Sequence, residues 1–401
     1  MKYIFLIITL LCTTLLFSCQ SHNGDLSQIK NTDFLYLDQQ FTSPPSFQLE
    51  TEQEIFMLDD EMLAMVESKL MTTQSTKKKA RLLLQHIFSQ DNIALSYTSN
   101  ANVTARDAFH SQTANCMSLT IMAYALAKEA GLKASFQQVH IPEYWVRNGQ
   151  YNLLTGHVNL LIEAQDNIKK TIIYGSDAIT IDFDPYVVRQ SFPKRVIGKN
   201  TVLAMFYNNK GGQALVLGNY AIAYQYLKAA SQADPLFSPA WGNLAVLYKL
   251  TENTVIAENT YRHAIALNAN NLTALANLAI LLHSENKLKE AEKIENKLHL
   301  KRKNNPYYQA LLADEASYRH DYMLAITQYK RALKLDASVH EFYFGLAKVY
   351  YQMGNINSAK KMMRKAIRLN KAKSTEHQYI AKLNFLNAEQ INITFIDTHS
   401  Q

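Results

Sequence analysis

An α+β core followed by an all-α solenoid is the fold the sequence predicts, and three observations predict it. Ala223, Ala257, Ala291, Ala325 and Ala359 stand 34 residues apart, a spacing at which helix pairs stack into an array. Before them, a helix opening at Cys116 leads into four strand-like runs, residues 134–141, 156–163, 170–174 and 178–183, and one helix against an antiparallel sheet makes an α+β domain. The third observation is a short apolar run at the N-terminus that belongs to neither part and ends in a cysteine.

At 401 residues the chain has room for two or three domains, and 48% hydrophobic residues is ordinary for globular protein. The net charge of +7 comes from lysines and arginines mixed with acids along the whole chain. There is no clustered basic face, so a nucleic-acid partner is not expected. The charge serves solubility and attraction to an anionic envelope surface.

Met1 and Lys2 form a short positive region, residues 3–16 are apolar but too short and wrongly flanked for a membrane span, and Leu16-Phe17-Ser18-Cys19 follows. This segment resembles a bacterial lipoprotein signal with its lipobox, residues 1–18 being the signal peptide; an ordinary signal peptide or a membrane anchor is the alternative. The resemblance implies lipidation of Cys19 and membrane attachment through it. Gln20, where an aspartate would resemble inner-membrane retention, points to the outer membrane and a site facing the periplasm. Residues 19–50 are polar, carry Pro44-Pro45 and show no apolar period, so they read as a flexible tether.

The domain at residues 51–200 begins with Ile55, Phe56, Leu58, Met62, Met65, Val66 and Leu70 at helical spacing, then a helix over 76–88. The next helix puts Cys116 in its first turn and ends at Ala130-Gly131, where glycine suits a left-handed cap. Unpaired backbone N–H groups and the positive end of the helix dipole favour thiolate over thiol there. With Cys12 in the signal and Cys19 lipidated, Cys116 has no partner within the chain. The plainer alternative is a buried inert cysteine.

Attack by a thiol on an amide needs a thiolate, a base that later protonates the leaving amine, and a group that orients the base. Cys116, His157 and Asp182 occur in that order. Asp184 shares a strand face with Asp182, and Asp177 lies in a turn, so both stand as alternatives for the third member. Gln112 is a candidate for an oxyanion hole with the Cys116 N–H or for solvating its loop, Trp145 for lining a substrate groove or packing, and His140 for pointing into the same cleft or for a structural strand position. No zinc, calcium or phosphate-loop spacing occurs, so no metal and no cofactor are expected.

The segments T-A-R-D-A-F, N-C-M-S-L-T, A-L-A-K-E-A-G-L-K-A, F-Q-Q-V, G-H-V-N-L and I-D-F-D-P, with Trp145 among them, together resemble the transglutaminase-like superfamily over residues 51–195. The resemblance implies a papain-like cysteine core, with Cys116 as nucleophile, His157 as base and Asp182 as the orienting carboxylate. Asp184 before Pro185 resembles the D-P of other members.

In the unit from Ser238, the positions Trp241, Leu244, Ala245, Tyr248, Ala257, Tyr261 and Ala264 alternate large and small side chains, and the unit from His340 repeats the pattern. Residues 201–373 thereby resemble five tetratricopeptide repeats. The units from Leu272 and Pro306 carry Glu295 and Ala316 at normally bulky sites, and the first unit lacks a good first helix. Residues 374–401 read as a capping helix and tail, with Tyr379, Ile380, Leu383 and Leu386 covering the last repeat. The array implies a concave surface for a protein or peptide partner, and Asn243, Asn277 and nearby Lys249 are the candidate contacts, a solvated polar face being the alternative.

The expectation is an envelope-anchored thiol enzyme, a cysteine peptidase, amidohydrolase or acyltransferase, acting on peptide or isopeptide amide bonds while the repeats recruit a protein. The alternative is a non-catalytic binding or assembly lipoprotein in which the transglutaminase-like fold is a scaffold.

Overall fold

The computed structural model describes residues 32–370 and 373–398, apart from 89–95, 98–100, 112, 144, 149–150, 155, 164–177 and 184–191. Helix α1 (Glu52–Phe56) opens with a capping box: the Thr51 hydroxyl accepts the Glu54 N–H while the Glu54 carboxylate accepts the Thr51 N–H. The single helix expected from residue 53 is in fact two. Met57 is extended and the Asp59 carboxylate accepts the Met62 N–H, which starts α2 (Asp60–Met65) and its wider final turn Val66–Leu70. There follow α3 (Thr76–Phe88), α4 (Ala105–Ser111) and α5 (Cys116–Glu129).

Helix α5 is enclosed along most of its length, with Ala123 and Ala127 fully buried. Its C-terminus closes as the sequence implied: Gly131 has φ +73°, and the Leu132 N–H reaches the Ala127 carbonyl. Buried Lys79 donates to the Ala130 carbonyl at 2.8 Å, placing a cation at the negative end of the helix, a contact worth about 0.3–2 kcal/mol.

The strands are β1 (Ser96–Tyr97), β2 (Thr113–Ala114), β3 (Lys133–Val139), β4 (Trp145–Asn148), β5 (Tyr151–Leu154), β6 (His157–Glu163), β7 (Ile179–Ile181) and β8 (Lys194–Ile197). Strands β7-β6-β3-β8 form an antiparallel sheet in that order, and β4 and β5 form a hairpin. Three predicted runs correspond to β3, β6 and β7; the run at 170–174 lies outside the described residues. Strand β8 and the hairpin are too short to show alternation in the sequence. Phe136 of β3 stacks on Tyr124 of α5 at 4.2 Å, with Phe56 of α1 against both. The sheet's inner face therefore rests on α5.

Residues 32–50 are packed, contrary to the tether that their composition suggested. Leu35 and Phe41 are buried; Tyr36 stacks on Trp241 and Phe41 on Tyr224. The Tyr248 hydroxyl donates to the Leu35 carbonyl, and the Tyr224 hydroxyl to Asp38. A strap laid on a preformed surface needs only isolated anchors, so it shows no period.

The solenoid pairs α6 (Lys199–Val216) with α7 (Tyr220–Ala233), α8 (Ser238–Leu250) with α9 (Thr254–Leu267), α10 (Leu272–Ser284) with α11 (Leu288–Arg302), α12 (Pro306–Tyr318) with α13 (Tyr322–Leu335), and α14 (His340–Gln352) with α15 (Ile356–Leu369); α16 (Lys373–Thr398) follows. All five alanines of the 34-residue series are at 0% exposure. The first unit does have a first helix, α6. Its pattern was unreadable because Val202, Met205 and Phe206 pack into the α/β core while Ala214 and Leu215 pack into the repeats. Glu295 sits exposed against His283 at 2.9 Å, and Ala316 is fully buried. In α16, Tyr379 and Leu386 are buried and Tyr379 stacks on Phe344, whereas Ile380, expected to cover the repeat, is exposed.

A Cβ at Gly345 would stand 2.1 Å from the Tyr329 hydroxyl oxygen and 2.2 Å from its ring. Gly345→Ala is expected to cost about 1–3 kcal/mol in urea unfolding, and adding Tyr329→Leu should recover most of it.

Candidate active site and repeat surface

Strand alternation puts His157 and Asn159 on one side of β6. Leu160 pairs with Ile181, so one step further Asn159 stands opposite Asp182. The His157 Nε2 bonds to Asp182 Oδ1 at 2.8 Å, and the Asn159 Nδ2 donates to Asp182 Oδ2 at 2.8 Å. The side chains of His157 and Asp182 are 2% and 5% exposed. Of the three aspartates weighed from the sequence, Asp182 is thus beside His157; Asp177 and Asp184 lie outside the described residues, as does Gln112.

Cys116 is the first residue of α5, behind the Asn115 cap whose side chain accepts the Ser118 N–H at 2.9 Å. Its thiol, in a residue 9% exposed, is within side-chain hydrogen-bonding reach of His157. Since Nε2 is held by Asp182, Nδ1 is the nitrogen left for the thiol. Thr120 fixes the helix start to the sheet, its hydroxyl lying 2.7 Å from the Cys116 carbonyl and 3.3 Å from that of Val158. Burial alone would push the His157 pKa down. Hydrogen bonds and charge from Asp182 and Cys116 outweigh it and hold the imidazole up to about 10, so the ring is an imidazolium at neutral pH.

The other predicted residues are more scattered. His140 is exposed at the end of β3. Trp145 lies against the repeats, 5.0 Å from the Arg302 guanidinium and 6.3 Å from Tyr308. Asn243 spends its amide on Asn208 Oδ1 at 2.8 Å, Asn277 is half-buried, and burial lowers the Lys249 pKa. A groove of about 740 Å³ between α9, α10 and α11, floored by Ile265, Leu275, Leu278 and Ile294 and edged by Lys289 and Lys293, holds none of the predicted residues.

Two features were missed. Asn159 escaped notice although it stands two residues from His157 on a strand. Asn209, one repeat period before Asn243, has its Nδ2 3.6 Å from the sulfur of Met117, the neighbour of Cys116; the 34-residue register could have found it.

A second fastening joins the two halves. The Arg302 Nε and Nη2 donate to the two Glu143 carboxylate oxygens at 2.8 and 2.9 Å, and the Asn305 Nδ2 donates to the Glu143 carbonyl at 2.7 Å. Arg302 is also packed over Trp145 and Tyr308. The segment after β3, which leads through the β4–β5 hairpin to His157, is thereby tied to the start of the fourth repeat.

Family models of tetratricopeptide repeats match residues 252–315, 319–354 and 340–373. With the helix pairing above, the C-terminal region is an array of tetratricopeptide repeats, a module for protein–protein interaction. No curated protein matches the chain in sequence. Among solved structures, the chain is similar to Pseudomonas aeruginosa PilF (17% identity, 48% of this chain, 88% of that one, TM-score 0.31). It is similar also to a tetratricopeptide-repeat protein of Thermus thermophilus (16%, 46% and 99%, 0.33) and to YrrB, a repeat protein with an unusual peptide-binding site (15%, 44% and 90%, 0.25).

Arg302→Met would strand the Glu143 carboxylate. It is expected to lower stability by about 2–3 kcal/mol and to speed amide hydrogen exchange over residues 145–154 more than in the sheet.

Proposed function

We propose that the chain is an envelope-anchored thiol enzyme acting on peptide or isopeptide amide bonds, and that its repeats recruit the protein to be acted on. The observation that carries the reading is a thiol at the first position of a buried helix within reach of an imidazolium that is itself bonded to a buried carboxylate. The transglutaminase-like sequence resemblance supports it, as does the lipobox resemblance at Cys19 for attachment to the envelope, at the outer membrane and facing the periplasm.

In the proposed reaction the Cys116 sulfur bonds to the amide carbon, and the carbonyl oxygen takes the negative charge. As the tetrahedral species collapses, the C–N bond breaks and the proton on His157 goes to the leaving nitrogen. The thioester that remains is attacked by water, or by an amine; His157 takes the proton of the attacking group, and the thiolate leaves. Asp182 holds the ring for both transfers. Water is the abundant acceptor, so hydrolysis is the default outcome. Asn243 and Asn277, with Lys249 near them, are the proposed contacts for an extended peptide.

A second reading, favoured by the low exposure of Cys116, 9%, is a binding or assembly lipoprotein in which the α/β domain is a scaffold. Treating the envelope fraction with iodoacetamide separates the two. The enzyme reading expects alkylation of Cys116 near pH 7 and loss of cleaved or cross-linked products in Cys116→Ala. A Cys116→Ala strain with an unchanged phenotype, lost instead on changing Asn243 and Asn277, supports the scaffold and sinks the enzyme.

The pH dependence is also determined. His157 is raised above its unfolded value of about 6.5 to about 10, so its stabilising contribution is whole below 6.5 and disappears as pH rises through 10. The melting-temperature advantage of the wild type over His157→Gln should therefore shrink across that window.

A further inference from the structure

Asn159 is at 0% exposure on the same side of β6 as His157. Its Nδ2 is donated to Asp182, and its Oδ1 has no hydrogen-bond partner. Flipping the amide would turn Oδ1 toward a carboxylate, so the orientation is fixed by Asp182. A buried oxygen left unmatched costs stability. What that arrangement secures is the direction of the carboxylate.

We propose that Asn159 is a positioning residue for the Cys116 site, holding Asp182 by Oδ2 so that Oδ1 stays on His157 Nε2 and His157 Nδ1 stays on the thiol; this rests on the thiol-enzyme reading. Two donated hydrogen bonds favour the ionised carboxylate, which in turn favours the imidazolium that faces Cys116. Among the described residues, the titratable groups against His157 are Cys116 from α5 and Asp182 after β7. Lys194 and Arg195 on β8 are exposed and separated from β6 by β3.

The test is the rate of Cys116 alkylation by iodoacetamide in the full chain from pH 4 to 9, followed by mass spectrometry, with unfolding temperatures measured alongside. In Asn159→Leu the acidic limb is expected to move up by roughly one pH unit and the rate at pH 6 to fall about tenfold, with the unfolding temperature lowered because buried Asp182 Oδ2 loses its donor. Asn159→Asp keeps the shape and sets a carboxyl group against Asp182; it should shift the limb at least as far, and it serves should the leucine variant fail to fold. An acidic limb unchanged in a folded Asn159→Leu or Asn159→Asp variant overturns the proposal while leaving the thiol-enzyme reading in place. A wild-type Cys116 that resists alkylation throughout the range overturns that reading and the proposal with it.

Discussion

One hydrophobic core spans the boundary between the α/β domain and the repeats, and the placement of everything else follows from it. Ile121 and Leu126 of α5, Phe136 and Leu160 of the sheet, and Val202 and Phe206 of α6 belong to the same buried cluster. The Asn102 side chain adds a hydrogen bond to the Phe206 carbonyl at 3.0 Å. Since α6 is also the first helix of the array, Cys116 at the head of α5 is rigidly registered to the repeats. A flexible linker at this point would have let the site and the array move apart; a shared core makes any displacement a loss of packed volume. The Glu143–Arg302 pair holds the far side, so the domain meets the array at two separated places.

Within that frame, charge is distributed along α5 with a sign at each end. The thiol stands among the free N–H groups at the start, with Asn115 taking one of them, and Lys79 meets the carbonyls at the finish. His157 is the point where burial and charge compete: desolvation opposes the imidazolium, and Asp182 together with Cys116 restores it. The carboxylate and the thiol therefore set the protonation of the ring between them.

Much of this was legible in the sequence, for particular reasons. The alanines at 34-residue steps are fully buried within the paired helices, so packing is written into the register. The start of α5, its glycine cap, the strand bearing His157 and the one that ends before Asp182 are local features with local signals. Illegible were the parts defined by contact with something distant. The strap at residues 32–50 looks polar because its anchors, Leu35, Tyr36, Phe41 and Phe47 among them, follow no period. Helix α6 hides its repeat pattern because two cores claim its faces. Arg302 and Glu143 lie 159 positions apart in segments that each resemble ordinary surface until the domain docks. Asn159 was hidden by its setting, since G-H-V-N-L draws attention to the histidine and leaves the next same-face residue unweighed.

The strap also alters what a lipid at Cys19 would do. Residues 20–50 as a free tether would give the site a reach of about 31 × 3.5 Å, roughly 110 Å, when fully extended. With the chain bolted to α7 and α8 from residue 32 onward, only residues 20–31 separate the proposed anchor from the folded body, about 42 Å at most. Asn209 and Met117 place the first repeat beside Cys116. The strap converts a composition that reads as slack into packed structure.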